Sequence, residues 1–214
     1  MIKLTSKNLV AIVLAFALLA ASPLRAQDIA PDALAKKVTD EVVAVLRADK
    51  DIQAGNSKKV LDLVESKILP HFNFARMTRL AVGAPWRQTT PAQQQTLTTE
   101  FRTLLVHTYT SAFMQYRDQV IEYRPFKMAP GDKEVVVRSL IKQKTGADPI
   151  DINYSMEKVD GAWKVYDVVI AGVSLVQNYR SSFASEIQKS GVDGLIATLA
   201  AKNKSLAQQQ AGKK

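Results

Sequence analysis

The stretch from Trp163 to Phe183, WKVYDVVIAGVSLVQNYRSSF, narrows the possible folds more than any other part of the chain. It reads as one strand running directly into one helix. Trp163 to Ala171 is rich in β-branched and aromatic residues, the types that suit a pleated surface. Tyr166, Val168 and Ile170 alternate with Val165 and Val169, so both faces are apolar and the strand is expected to be covered on two sides. Gly172 ends the run, and Ser174 followed by Gln177 forms a capping box that opens a helix. Leu175, Tyr179, Phe183 and Ile187 then recur every four residues and build an apolar stripe. The sheet just left is the expected seat of that stripe, either in close packing or with a hollow between.

The chain before this stretch divides at Asp118, where the apolar period changes from 3.6 to 2. Upstream, helices are expected over Pro31–Leu46, with Asp28 or Asp32 as cap, over Val60–Ile68 up to Leu69-Pro70, and around Arg76–Leu80 until Gly83. The longest helix opens at Pro91, with Thr90 as cap and Gln93 closing the box. Its apolar face runs through Leu97, Phe101 and Leu104 and is widened by Leu105, Tyr109 and Phe113. Downstream, Gln119–Met128, Lys133–Gln143 and the alternating run from Ile150 precede Asp160-Gly161, a two-residue hairpin turn. A short helix through Val192, Leu195, Ile196 and Leu199 follows the opening stretch. The order predicts an α+β fold: a four-stranded antiparallel meander sheet packed against N-terminal and C-terminal helices. One domain is expected over residues 27–201, with 202–214 as a polar, flexible tail.

Residues 1–26 read as a cleaved secretory signal peptide. Lys3 and Lys7 precede an apolar run of 13 residues, Leu9 to Ala21, and Ala26 is a suitable cleavage residue. No other run is long enough to cross a bilayer. The chain has no cysteine, which excludes disulfides, a lipoprotein anchor and thiolate chemistry. An exported, cysteine-free protein fits a bacterial periplasm. Net charge is +9, falling to +6 without Lys3, Lys7 and Arg25. The bases are scattered along the chain, which argues against nucleic acid and suits anionic headgroups or an acidic partner, with Arg87 and Arg180 as candidates.

The sequence offers little for catalysis. Its two histidines, His71 and His107, stand 36 residues apart with no acidic cluster to help them, so no metal site is expected. There is no G-x-S-x-G elbow and no glycine-rich phosphate cradle. Asp167, the one carboxylate inside the apolar strand, gives an alternative reading: a periplasmic enzyme on a cone-like α+β scaffold with Asp167 or His107 as general base. The plain reading of Asp167 is a side chain that meets solvent or a helix N-terminus. What remains is apolar capacity, in a dense core or around a pocket for a long hydrophobic ligand, and composition leaves both open.

Four segments together resemble one family: HFNFARMTRLAVGAPWR (71–87), FRTLLVHTYTSAF (101–113), YDVVIAGVSLVQNYRSSF (166–183) and GVDGLIATL (191–199). They are similar to the MlaC family, periplasmic phospholipid-binding proteins also called toluene-tolerance auxiliary proteins. The resemblance implies a carrier without enzymatic activity or cofactor, whose internal apolar cavity holds two acyl chains; such a shuttle works most simply as a monomer. It implies as partners an outer-membrane lipoprotein–porin complex and an inner-membrane ABC transporter with an MCE subunit, and as outcome the lipid asymmetry of the outer membrane. The residues then expected around the lipid are Leu105, Tyr109 and Phe113 on the long helix. Ile121, Val137, Tyr154, Val168 and Ile170 join them from the sheet, and Val173, Leu175, Tyr179 and Phe183 from the closing segment. About half of these are expected to touch it.

Overall fold

The computed structural model describes residues 29–113, 119–142 and 148–211. The expected signal peptide lies outside them. Helix α1, Pro31–Ala48, begins on a proline whose fixed φ is already helical. Its N-cap is Ala30, which makes no side-chain cap bond; Asp32 sits inside the first turn instead, where its charge meets the positive end of the helix. A single unforeseen turn, α2 (Lys50–Gln53), forms because Asp49 accepts from the N–H groups of Asp51 and Ile52. Helix α3, Ser57–Leu63, is capped by Asn56. It then widens into a π-helical segment, Val64–Ile68, and tightens into a 3-10 turn, Leu69–His71. Pro70 accounts for this, since its ring clashes with the carbonyl four residues back. Helix α4, Phe74–Val82, is capped by Asn73 and ends at Gly83, whose φ of 73° suits only glycine. Helix α5, Pro91–Phe113, opens with the expected reciprocal box: the Thr90 N–H donates to Gln93 Oε1 at 3.0 Å, and the Gln93 N–H to Thr90 Oγ1 at 3.2 Å.

The sheet is an antiparallel meander in chain order: β1 (Val120–Tyr123), β2 (Glu134–Lys142), β3 (Ile150–Val159), β4 (Ala162–Ile170) and β5 (Val173–Ser174). It has five strands where four were expected. Asp160 and Gly161 both have positive φ, as a type I′ hairpin requires, and so do Ala171 and Gly172. That second tight turn folds Val173–Ser174 back onto Ile170 and Val169 before the last helix begins. A bulge at Ser155/Met156 also breaks the expected alternation in β4. It brings Val165 and Val168 into one apolar cluster with Val137, Ile152 and Met156, while Tyr166 turns away beneath the Arg76 guanidinium at 3.6 Å.

The last helix, α6, Leu175–Ala211, kinks at Gly191. Residues 202–211, expected as tail, continue this helix. Asn203 is buried there and donates to the Glu100 carbonyl and carboxylate, and Gln210 pairs with His107. The stripe of α6 is seated mainly on helices, not on the sheet: Tyr179 and Phe183 meet Phe101 of α5 edge-on at 5.1 Å. Among the described residues the buried side chains form three apolar clusters. One joins α4, α5 and α6, one joins the sheet to Leu34 of α1, and one joins α1, α2 and α3.

Candidate functional site

A cavity of about 280 Å³ lies where the three clusters meet. Helix α1 forms one wall with Leu34, Val38, Val42 and Leu46; their spacing of 4, 4 and 4 residues keeps them on one face. The sheet faces them with Ile152, Tyr154, Met156, Val168 and Ile170. The Val137–Tyr154–Val168 row of β2, β3 and β4 sets this register. Phe74 and Met77 of α4, and Leu105, Val106 and Tyr109 of α5, form the third side. Val64 and Ile68 enter from the π-helical segment. Next to them, the main chain at Phe72–Asn73 is tied to β4 by the Asn73 N–H donating to the Val165 carbonyl at 2.8 Å.

Among the described residues, only Thr39, His71, Tyr109, Thr110 and Tyr154 bring a side-chain nitrogen or oxygen to this lining. Their needs are met largely inside the protein. Thr39 Oγ1 and the Tyr123 hydroxyl are 2.7 Å apart, and Tyr123 is also bonded to Tyr154. Thr110 donates to the Val106 carbonyl at 2.6 Å, and Tyr109 shares a hydrogen bond with Tyr179. Burial raises the phenol of Tyr109 to about 12 and that of Tyr123 higher still, so both stay neutral. Burial, followed by the charge of Lys164, lowers the pKa of His71, so its ring is neutral at pH 7. The wall therefore carries no charge and has little call on a polar ligand group.

Of the twelve residues expected around a lipid, seven border the cavity: Leu105, Tyr109, Ile121, Tyr154, Val168, Ile170 and Leu175. Val137 is buried in the sheet cluster behind the lining. Tyr179 and Phe183 pack against Phe101 instead, because the stripe of α6 turns toward the helices after its first residue. Val173 is exposed, since the second tight turn points it out of the sheet. The side chain of Phe113 lies outside the described residues. The wall contributed by α1 was missed, as were Val64 and Ile68. The amphipathic stripe of α1 was plain in the sequence, but nothing local showed what it faced.

The two candidate bases are otherwise engaged. Asp167 caps α6 from the neighbouring strand, accepting from the Ser174 hydroxyl at 2.6 Å and the Val176 N–H at 3.1 Å. His107 Nδ1 is 2.9 Å from Gln210 Oε1, and neither His107 nor Asp167 borders the cavity. Among the described residues no cluster of His, Asp and Glu is arranged to hold a metal ion, and no helix is long and apolar enough to cross a membrane.

Beside the cavity sits one half-buried ionic network. Arg76 of α4 meets Glu157 at 2.5 Å and Glu134 at 2.8 Å, and Asn73 donates to Glu157 at 2.8 Å. Burial pulls the Arg76 pKa down, but bonding to Glu134 and Glu157 outweighs it and the net shift is upward. The network fastens the start of α4, which carries Phe74 and Met77, to strands β2 and β3.

A family model described as MlaC protein matches residues 36–201. Over 163 residues the chain is 29% identical to the intermembrane phospholipid transport system binding protein MlaC of Haemophilus influenzae, covering 71% of this chain and 76% of that one. Over 194 residues it is 24% identical to the toluene tolerance protein ttg2D of Pseudomonas putida, covering 90% and 87%. Among solved structures, a phospholipid-binding protein from Ralstonia solanacearum in complex with a phospholipid superposes with a TM-score of 0.75 at 40% identity. That alignment covers 82% of this chain and 98% of the other.

Proposed function

The chain belongs to the MlaC family, and on that footing we propose that it is a periplasmic carrier that takes phospholipid acyl chains into the cavity between α1, the sheet and α5. The carrier moves its load between an outer-membrane lipoprotein–porin complex and an inner-membrane MCE-domain ABC transporter, which maintains the lipid asymmetry of the outer membrane. Residues 1–26 direct its export. The observation that carries the reading is the uncharged, almost wholly apolar wall of a 280 Å³ cavity. Its α1 side, from Leu34 to Leu46, is about 18 Å long at the helical rise of ~1.5 Å per residue. One leaflet of a bilayer has a hydrocarbon thickness of about 15 Å, half of the ~30 Å core. The phospholipid held by the Ralstonia protein is consistent with this.

Energetics explain why such a protein is needed and why no reacting group is. Each methylene transferred to water costs about 0.8 kcal/mol, so two chains of roughly 16 carbons cost on the order of 20 kcal/mol to expose. A protein that replaces water with side chains removes that barrier. Exchange is then close to neutral, and the partners set its direction.

Val168 tests the reading, because it lines the cavity from the middle of the sheet. Val168→Trp is expected to fill the space and abolish phospholipid recovered by organic extraction and mass spectrometry, with the circular dichroism spectrum unchanged. Full stoichiometric lipid in this variant, or no phospholipid in the wild type, would refute the proposal.

A further inference from the structure

The bases that look scattered in sequence are collected by the fold. Residues 29–73 hold seven Lys and Arg against seven Asp and Glu, and residues 119–174 hold eight against eight. Residues 74–113 and 175–211, which pack together as α4, α5 and α6, hold eight against three. The positive excess therefore lies on this helical layer. Two of its cations are paired outside the layer, Arg76 with Glu134 and Glu157, and Arg102 with Glu65. Its three carboxylates are hydrogen-bonded to neutral groups: Glu100 to Asn203, Glu186 to Ser190 and Asp193 to Gln93.

Arg79, Arg87 and Arg180 are exposed and have no ion-pair partner among the described residues. The chain places them around Gly83. The Arg79 carbonyl accepts the Gly83 N–H at 2.9 Å, Arg87 follows in the 3-10 turn Ala84–Gln88, and the Arg180 guanidinium lies against Gly83 itself. A Cβ at Gly83 would stand 3.4 Å from that guanidinium, so Arg180 lies in contact range of Gly83, and no carboxylate pairs with it among the described residues. Three arginines thus lie around Gly83, Arg79 and Arg87 by their backbone positions and Arg180 by its guanidinium, with no carboxylate paired with them among the described residues. That arrangement makes sense if the opposite charge arrives from outside.

We propose that this corner is a docking surface for an acidic segment of a partner protein. The proposal rests on the carrier reading and adds to it where a partner engages. The arginine forks suit carboxylates, which they grip in pairs. A bilayer surface fits less well, because among the described residues the exposed large apolar side chains, Ile29, Val120, Met128, Val136 and Val173, all lie on other elements and supply no apolar wedge here. Helix α4 carries cavity residues at its start and this corner at its end, about 13 Å away at ~1.5 Å per residue. Docking here leaves the cavity free to exchange its contents.

The test uses the full mature protein and a fluorescein-labelled decaglutamate peptide, read by anisotropy at low ionic strength. The wild type is expected to bind. The combined variant Arg79→Glu, Arg87→Glu, Arg180→Glu is expected to bind at least about tenfold more weakly, because its field is reversed within one Debye length. The combined Gln variant, which removes the charges without reversing them, should fall between. Phospholipid extracted per mole of protein should be the same in all three, which also shows that the variants fold. Equal peptide affinity across the series, or no binding by the wild type, overturns the proposal. So does arginine-dependent co-sedimentation with phosphatidylglycerol vesicles in place of peptide binding. A wild type that binds peptide but carries no lipid would sink the carrier reading and leave the docking surface standing.

Discussion

Among the described residues of the cavity wall, His71 alone can become charged near neutral pH. Burial lowers its pKa below the ordinary 6.5, Lys164 on β4 adds to the lowering, and Glu41 on α1 opposes it, with Lys37 on α1 a smaller contribution downward. The folded protein thus binds this proton less readily than the unfolded chain, so stability rises with pH across the window between the two values. The contribution is complete above about 6.5 and fades as the pH drops from there toward the lowered folded value. The carboxylates whose pKa values are lowered, Glu41, Asp49, Glu134 and Glu186, start from ordinary values of 4.5 or less and lose their contribution only in stronger acid. The melting temperature is therefore expected to fall between pH 7.5 and pH 5.5, and to fall less in His71→Gln. Identical pH profiles for the two proteins would show that His71 is not desolvated. Nothing in the sequence marks His71 as a wall residue. Its burial depends on Pro70 ending the helix there and on β4 arriving from 94 residues further on to place Lys164 against the Pro70 carbonyl.

At the scale of elements, the last helix depends on a residue outside itself. Ser174 donates to Asp167 while accepting the Gln177 N–H at 3.0 Å, and Asp167 also takes the N–H of the buried Val176. Two of the free donors of the helix start are met this way. Asp167→Ala should cost about 2 kcal/mol, a typical sum for a lost cap and an unpaired buried donor. For a chain of this size that lowers Tm by about 4–8 °C. Asp167→Asn, which keeps an acceptor for Val176, should cost less, and both variants should keep their phospholipid; an unchanged Tm in the Ala variant would refute the cap. The capping box was legible because Ser174 and Gln177 are local, as were Thr90 with Gln93 and the Asp160-Gly161 turn. The role of Asp167 was only half legible, because a strand residue gives no sign of which helix start it will meet. The bulge was illegible for a related reason. One extra residue in β4 changes which side chains share a face, and the choice is made by pairing with β3, not by the β4 sequence. The seat of the Tyr179–Phe183 stripe followed from Phe101, more than 75 residues earlier, and the local pattern favoured the adjacent sheet instead.

The described residues of the molecule form no single core. Its three apolar clusters share a boundary, and that boundary is the cavity: Met77 and Leu105 come to it from the first cluster, Leu34 and Ile152 from the second, Val42 and Leu46 from the third. Close packing stabilises side chains by contact on all sides, and side chains that face an empty space lose those contacts on one side. An acyl chain in the cavity would restore them for all three clusters at once, so contents and stability are coupled. By linkage, a ligand present at about a hundred times its Kd adds about 2.7 kcal/mol, equivalent to about 5–10 °C in Tm for a chain of this length. Protein stripped of lipid by refolding from guanidinium should melt lower than protein as purified, by a margin of that order, and added phospholipid should restore the difference. Val168→Trp supplies its own filling, so its melting temperature should be the same with and without added phospholipid. Equal melting temperatures for stripped and loaded wild-type protein would mean that the clusters hold together without the cavity's contents, and that the space between them is incidental to the fold.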